Sequence, residues 1–140
     1  MKVLLAADGS KFTKKALAFL VTHEGLAGPD GELVVLHVQT PMPPRVKTMV
    51  GAAAIHDYQK EEAEKVLTPI ERFLKRHDIA FRTAWAVGSP AEEIVRATKR
   101  EKAHLIVMGT HGHGLLGRAL MGSVAQKVIA ECEIPVLLVK

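Results

Sequence analysis

The sequence predicts an α/β domain built on a parallel sheet. Short apolar runs alternate with amphipathic stretches of helical spacing along all 140 residues. Five segments have strand character and four helical segments connect them, which is the pattern of repeated strand–helix–strand units. Neither an internal repeat nor a linker interrupts this alternation. We therefore expect one domain over residues 1–140.

The first strand and helix follow from simple local signals. Lys2–Ala7 is short and apolar, as a buried strand requires. The side chain of Ser10 can cap a helix over 11–25, because its hydroxyl accepts from a first-turn N–H group. Glycine and proline within 25–31 end that helix in a turn. Leu33–Val38 is rich in β-branched residues and predicts the second strand.

The middle of the chain contains one long helical stretch. Residues 39–54 include three prolines and a glycine, and we predict a loop there. Apolar residues at helical spacing then predict a helix over 55–76. Pro69 interrupts that pattern, which favours one kinked helix, with two shorter helices as the alternative. Ile79–Val87 alternates in polarity and is predicted as a strand.

The last third repeats the same alternation. Residues 89–92 (Ser-Pro-Ala-Glu) combine a cap, a proline at the first helical position and an acid three residues after the cap. The helix they begin is predicted to end near Lys102. His104–Met108 is the fourth strand, a further helix ends near Cys132, and Pro135–Val139 is the fifth strand.

Composition excludes several classes of protein. No apolar run approaches the ~20 residues needed to cross a bilayer, and Asp8 interrupts the N-terminal run too early for a signal peptide. Cys132, the single cysteine, excludes an internal disulfide, so we expect a cytoplasmic protein. The net charge of +4 comes from scattered basic residues without interleaved aromatics, which argues against a nucleic-acid partner.

A glycine-rich loop after the fourth strand carries the functional signal. Gly109-Thr110-His111-Gly112 is followed, after nine residues, by Gly122-Ser123 at the start of a helical stretch. Glycines let backbone N–H groups turn toward an anion. The helix N-terminus adds unpaired donors and a partial positive charge. The segment therefore predicts a phosphate-binding loop.

Two other phosphate motifs match this segment less well. Residues 112–117 fit G-x-G-x-x-G, but no later strand supplies the acidic residue that contacts the ribose. Residues 112–119 approach a P-loop, yet Arg118 and Ala119 replace its lysine and its hydroxyl. His111 and His113 form an incomplete metal site, because zinc takes three or four protein ligands.

The third pattern, G-x2-G-x9-G-[ST], fits completely, and here the chain resembles the universal stress protein family. The resemblance extends to Asp8-Gly9-Ser10, to His37-Val38 and to the terminal segment 134–139. It implies a doubly wound, Rossmann-like sheet of order 3-2-1-4-5 with helices on both faces. In that order the carboxyl ends of strands one and four lie side by side, where ligands of open α/β sheets bind.

The resemblance to the ATP-binding branch of the family also implies a set of ligand contacts. Asp8 would orient the adenosine, and the alternative is that it caps the following turn. Glycine backbone and the Ser123 hydroxyl would hold the phosphates. Arg118, within the nine-residue spacer, either reaches a terminal phosphate or is a solvated arginine. The implied ligand is ATP, AMP or ADP, with Mg²⁺ expected only through the phosphates. The implied contact residues are Ala7, Asp8, Val38, Met108, Gly109, Gly112, Gly122, Ser123 and Val124.

Three functions remain open at this point. The first is a nucleotide-binding regulatory protein with little turnover, since no catalytic base or metal-bound acid pair is evident. The second is a slow ATPase or phosphotransferase, and the third is a dimeric interaction protein without nucleotide. A homodimer through strand 135–139 is expected in each case, because an apolar edge strand invites pairing.

Overall fold

The computed structural model describes residues 1–27, 30–112 and 121–140. Within these residues the chain forms a five-stranded, all-parallel sheet of order β3-β2-β1-β4-β5. This confirms the predicted fold class and strand order. The strands are β1 Lys2–Ala6, β2 Glu32–Gln39, β3 Arg82–Val87, β4 Leu105–Gly109 and β5 Val136–Val139. The helices are α1 Lys11–Thr22, α2 Glu24–Ala27, α3 Pro44–Val50, α4 Ala52–Arg76, α5 Pro90–Glu101 and α6 Ser123–Glu131.

Strand β1 is the centre of the sheet and the point where the topology reverses. Val3 is paired with Leu33 of β2 on one side and with Leu105 of β4 on the other. The crossovers run outward in opposite directions from this strand. The carboxyl ends of β1 and β4 therefore lie side by side with a crevice between their following loops.

Both faces of the sheet are covered, which makes its central strands apolar on both sides. Val3 and Leu5 are fully buried on the face that packs against α1 and α4. Leu4, between them, is fully buried in the cluster on the face of α5 and α6. Burying each of these side chains stabilises the fold by about 1.5–3 kcal/mol.

The prediction of a loop over 39–54 is wrong. Pro44 begins α3 at a position where its missing N–H costs nothing, because first-turn N–H groups have no helical partner. Gly51 then adopts φ +85° between α3 and α4, a conformation that favours glycine. Helix α4 begins at Ala52 and continues through Pro69 to Arg76 as one helix, so the alternative of two shorter helices is wrong.

The helix caps agree with the sequence in one case and differ in another. The Ser10 hydroxyl accepts from the N–H of Thr13, as predicted. Ser89 occupies the N-cap of α5, but its side chain makes no capping hydrogen bond. The helix begins at Pro90, at the position predicted for it. Helix α1 ends at Thr22 instead of residue 25, and the short α2 follows it.

An ion-pair network joins three elements at the amino end of the sheet. Glu101, at the end of α5, bonds Arg82 of β3 and lies 3.6 Å from the Lys2 ammonium of β1. The Arg82 hydrogen bond, and then the charges of Arg82 and Lys2, hold the pKa of Glu101 below its ordinary value. The candidate site lies at the opposite end of the strands, their carboxyl end.

None of the helices in the described part of the chain is long and apolar enough to cross a membrane.

Candidate functional site

A cavity of about 530 Å³ opens at the carboxyl ends of β1 and β4. Its described walls come from β1, β2 and β4, from the loops that follow them, and from the N-termini of α5 and α6. This size is within the range of small-molecule sites, ~300–1,000 Å³. The structure brings together around it all the residues implied by the sequence resemblance: Ala7, Asp8, Val38, Met108, Gly109, Gly112, Gly122, Ser123 and Val124.

Asp8 organises the turn that enters α1. Its Oδ1 accepts from the backbone N–H of Ser10 at 2.9 Å and from the hydroxyl of Thr13 at 2.8 Å. The Thr13 hydroxyl in turn accepts from the N–H of Asp8 at 3.1 Å. The capping role of Asp8 is therefore real, and it fixes the direction of the carboxylate.

The second oxygen of the same carboxylate lies against the glycine loop. A Cβ added at Gly112 would be 2.7 Å from Asp8 Oδ2, a distance that real contacts do not reach. An alanine at position 112 would therefore displace either the Asp8 carboxylate or the loop. The Asp8 motif and the glycine loop, which are far apart in sequence, meet at this point of the cavity wall.

Gly109 is required for packing as well as for the predicted approach of a ligand. A Cβ at this position would lie 2.4 Å from the Cβ of Phe12 on α1. The ring of Phe12 also contacts the ring of His111, with their centroids 5.1 Å apart. Gly109, the last residue of β4, thereby lets α1 pack directly on the start of the loop.

Gly122 closes the other end of the loop. Its N–H donates to the carbonyl of Thr110 at 2.6 Å, and a Cβ there would lie 3.2 Å from the same oxygen. In this structure the Gly122 N–H is therefore used within the chain. The phosphate contact predicted for that amide stays a prediction, and it would require the N–H to leave or share its bond to Thr110.

Helix α6 directs its N-terminus at the cavity. Ser123, Val124 and Ala125, its first residues, all line the wall, and its N-cap residue, Gly122, has no side chain that could cap the helix. First-turn N–H groups have no partner inside a helix. The helix therefore presents backbone donors and a partial positive charge to the cavity, together with the hydroxyl of Ser123.

The wall nearest β2 is apolar. Leu36 and Met108 are buried, and Val38 and Ile94 extend the same surface. His37, beside them on β2, places Nδ1 2.8 Å from the carbonyl of Ala7. Because a carbonyl only accepts, Nδ1 of His37 carries the hydrogen and donates it. From outside the cavity, this bond links β2 to the residue after β1. The site thus has an apolar end and a polar end.

Two residues singled out in the sequence, Arg118 and His113, lie outside the described residues, in the segment 113–120. His111 is described and lines the cavity, and its Nδ1 is 2.9 Å from the Thr110 hydroxyl. Within the described ranges, no group of three or more His, Cys, Asp or Glu residues has a geometry for a metal ion.

The sequence prediction missed several wall residues. Thr13, Thr40 and Thr110 add hydroxyl groups, and Pro90 and Ile94 add apolar surface. Thr13 had a usable signal, since it stands three residues after a predicted cap. Pro90 and Ile94 had none, because only the tertiary packing brings the start of α5 beside β1.

The whole chain, residues 1–140, matches the model of the universal stress protein family. The chain belongs to this family. A universal stress protein of Thermus aquaticus, named for the QAH/OAS sulfhydrylase 3' region, is 38% identical over 140 residues, with 99% of this chain and 97% of the relative covered. The solved structure of MJ0577 from Methanocaldococcus jannaschii is 30% identical with a TM-score of 0.79, covering 99% of this chain and 94% of that one.

Two other solved universal stress proteins contain nucleotides. The protein from Archaeoglobus fulgidus is in complex with dAMP; it is 22% identical with a TM-score of 0.72 and covers 100% of this chain and 98% of its own. A family protein from Arabidopsis thaliana has AMP bound; it is 17% identical with a TM-score of 0.70 and covers 100% of this chain and 91% of its own. At these identities the likeness shows the shared fold.

Proposed function

We propose that residues 1–140 form one adenine-nucleotide-binding regulatory domain of the universal stress type, which hydrolyses its ligand slowly if at all. The observation that carries this proposal is the convergence of Asp8, the 109–112 loop and the α6 N-terminus on one cavity. Two members of the same fold hold AMP or dAMP. ATP, ADP and AMP share the adenosine that this cavity would recognise.

The two ends of the cavity determine the orientation of the ligand. The apolar wall of Leu36, Val38 and Ile94 suits the adenine ring, and the Asp8 carboxylate can accept from a ribose hydroxyl or the exocyclic amine. The N–H groups of α6 and the Ser123 hydroxyl suit the phosphates. The nucleotide would therefore lie across the carboxyl ends of β1 and β4.

Any Mg²⁺ would be held through the phosphates. Asp8 is the single carboxylate in the described cavity wall, and one carboxylate with phosphate oxygens is a normal Mg²⁺ arrangement. The ion would neutralise phosphate charge. Asp8 Oδ1 is engaged by Ser10 and Thr13, so this carboxylate is a positioning group for the ligand in our proposal.

Thermal unfolding with and without nucleotide tests the proposal. Ligand at about 100 times its Kd adds about 2.7 kcal/mol to the free energy of unfolding, which raises the Tm by several degrees. The variant Asp8→Asn keeps an oxygen for the turn and removes the charge, so we expect its affinity to fall about tenfold or more. The control is Asp57→Asn, at an exposed position on α4, which should bind as wild type.

The outcomes separate the three candidate functions. The absence of a Tm shift at millimolar ATP, ADP or AMP, together with no nucleotide in an acid extract of the purified protein, would contradict nucleotide binding. Phosphate release in the presence of Mg²⁺ that exceeds the buffer blank, and that Asp8→Asn abolishes, would favour the slow ATPase. Equal shifts for Asp8→Asn and Asp57→Asn would refute the role given to Asp8.

We also propose a homodimer through β5, in a cytoplasmic setting without nucleic-acid or membrane partners. Strand β5 lies at the edge of the sheet, and Val136–Val139 are only partly buried. The carbonyls of Pro135 and Val139 accept from β4. Because alternate residues of a strand direct their backbone groups to opposite edges, those of Val136 point to the unpaired edge.

A proline at that position tests the dimer. Val136→Pro removes an outward N–H and keeps all bonds to β4 and a similar side-chain volume. We expect sedimentation to change from a dimer to a species near 15.2 kDa, whereas the control Val136→Thr should remain dimeric. A wild-type protein that sediments as a monomer at all concentrations would refute the proposal.

A further inference from the structure

The N-terminus of α1 carries three lysines that its own helix does not favour. Lys11, Lys14 and Lys15 stand in its first five positions, and its first turn has no acidic residue. The N-terminus of a helix has a partial positive charge, so cations there are unfavourable. Among the described residues, none of the three has a carboxylate within ion-pair distance of its ammonium group. Charges that oppose local stability often serve binding.

Two of these lysines are gathered at one place. The ammonium of Lys11 is 5.2 Å, and that of Lys15 is 5.4 Å, from the centroid of the Phe12 ring. We call this pair, Lys11 and Lys15, the lysine rim. The ring attracts each cation, so both ammonium groups are kept near Phe12.

Phe12 places the lysine rim beside the cavity. Its ring contacts the ring of His111, a wall residue, at 5.1 Å, and its Cβ faces Gly109 without room for a methyl group. The two ammonium groups therefore stand within about 10 Å of the His111 ring, a distance that screening at physiological salt still leaves partly effective. Through Phe12 they lie beside His111, which lines the same cavity as the α6 N-terminus, where the proposed function places the phosphates.

We propose that the lysine rim reads the length of the phosphate chain, so that the site prefers adenine nucleotides with two or three phosphates over AMP. This inference rests on the proposed function. A single phosphate bound at the α6 N-terminus does not extend to the rim. A second and third phosphate carry additional negative charge toward it, where flexible lysine side chains can approach them.

The charged groups around the rim agree with this assignment. Asp8, the carboxylate of the described wall, is bonded to Ser10 and Thr13 on the adenosine side of the loop. The His111 ring lies against Phe12, next to the rim. Among the described residues, Lys11 and Lys15 are thus cations that one aromatic contact connects to the cavity wall.

Calorimetric titration of the full chain with AMP, ADP and ATP tests the inference. We expect wild type to bind ATP about tenfold more tightly than AMP, since each exposed charge pair contributes up to about a fivefold change. The double variant Lys11→Gln/Lys15→Gln should bind AMP within twofold of wild type and lose most of the preference. The control Lys75→Gln/Lys99→Gln changes the net charge equally, at exposed positions near the far ends of α4 and α5, and should keep the preference.

Each outcome has a definite meaning. A wild type that binds none of the three nucleotides would overturn the proposed function and this inference together. Equal affinities for AMP and ATP, an undiminished preference in Lys11→Gln/Lys15→Gln, or an equal loss in the control would overturn the lysine rim alone. The ligand-free double variant should keep a Tm close to that of wild type, because relief at the helix N-terminus offsets the two lost ring contacts; a variant that is unfolded at the titration temperature is replaced by Lys11→Arg/Lys15→Arg, which should keep the preference and would refute the inference if it lost it.

Discussion

Replacement of Gly109 by alanine tests whether this glycine is required by packing. Gly109 ends β4, and the glycines with positive φ in the described chain are Gly9 and Gly51, so the backbone at 109 accepts an alanine. The added methyl carbon would lie 2.4 Å from the Cβ of Phe12. It would also lie 3.3 Å from the His111 carbonyl oxygen. The expected damage is therefore steric.

The size of the effect follows from these distances. Carbon atoms in contact are about 3.5–4.0 Å apart, so α1 and the end of β4 must separate by roughly 1 Å or more. Overpacking of this kind costs about 1–3 kcal/mol. For a chain of this length, that corresponds to a decrease in Tm of roughly 3–10 °C.

Urea denaturation of the ligand-free protein measures this cost. Gly25→Ala is the matched control, because a Cβ there meets nothing within 4 Å and alanine favours a helix. We expect the control to be as stable as wild type or slightly more stable. A Gly109→Ala variant that unfolds at the wild-type urea concentration would refute the steric argument.

A double-mutant cycle identifies the atom responsible. Phe12→Ala keeps the Cβ that the new methyl group would meet, whereas Phe12→Gly removes it. The cost of Gly109→Ala should persist in the Phe12→Ala background and decrease in the Phe12→Gly background. Equal costs in both backgrounds would show that the clash lies elsewhere.

Three further changes have defined outcomes. Ser10→Ala removes the side-chain cap of α1 and should lower the free energy of unfolding by about 1 kcal/mol in urea titration; an unchanged value would contradict the cap. Glu101→Gln should cost about 0.5–1 kcal/mol at pH 7. The pKa of Glu101 is lowered in the folded protein, so the stability difference between wild type and Glu101→Gln should be fully present above the ordinary glutamate pKa. It should vanish as the pH falls through the folded pKa. A stability difference that stays constant from pH 7 to pH 3 would be inconsistent with this coupling. Gly112→Ala displaces either the loop or the Asp8 carboxylate and should weaken nucleotide binding about tenfold or more in calorimetry, whereas wild-type affinity would show that the close approach of the loop and Asp8 is not needed.

The sequence predicted the sheet well because its signals are local and strong. The three central strands are short apolar runs buried on both faces, as with Val3, Leu4 and Leu5 of β1, whereas β3 was predicted from its alternation in polarity. The order of the strands was not contained in those runs. It came from the resemblance carried by the glycine loop and its flanking segments.

The wrong secondary-structure and capping predictions concern residue types that occur both in loops and at the starts of helices. Pro44 was interpreted as a loop residue, yet proline at the first helical position begins α3. Ser89 stands at an N-cap position without making the capping bond, so position alone did not determine contact.

The candidate site was predicted by residue type and less well by bonding. The Gly122 N–H was expected to meet a phosphate, but it bonds Thr110 across the loop. Thr13 was not expected in the wall, because its two bonds to Asp8 depend on the fold of the turn. Sequence motifs indicate which residues meet, whereas the partner of each donor is decided by backbone geometry.

The position of β1 has a consequence for how the chain folds. Its two neighbours are β2, about thirty residues away, and β4, about a hundred residues away, so the crevice forms only when remote parts of the polypeptide have come together. A molecule seated there contacts segments that lie about a hundred residues apart in the chain. Its binding energy therefore supports the strand pairing of largest sequence separation in the sheet, so a bound ligand stabilises the domain against opening between β1 and β4.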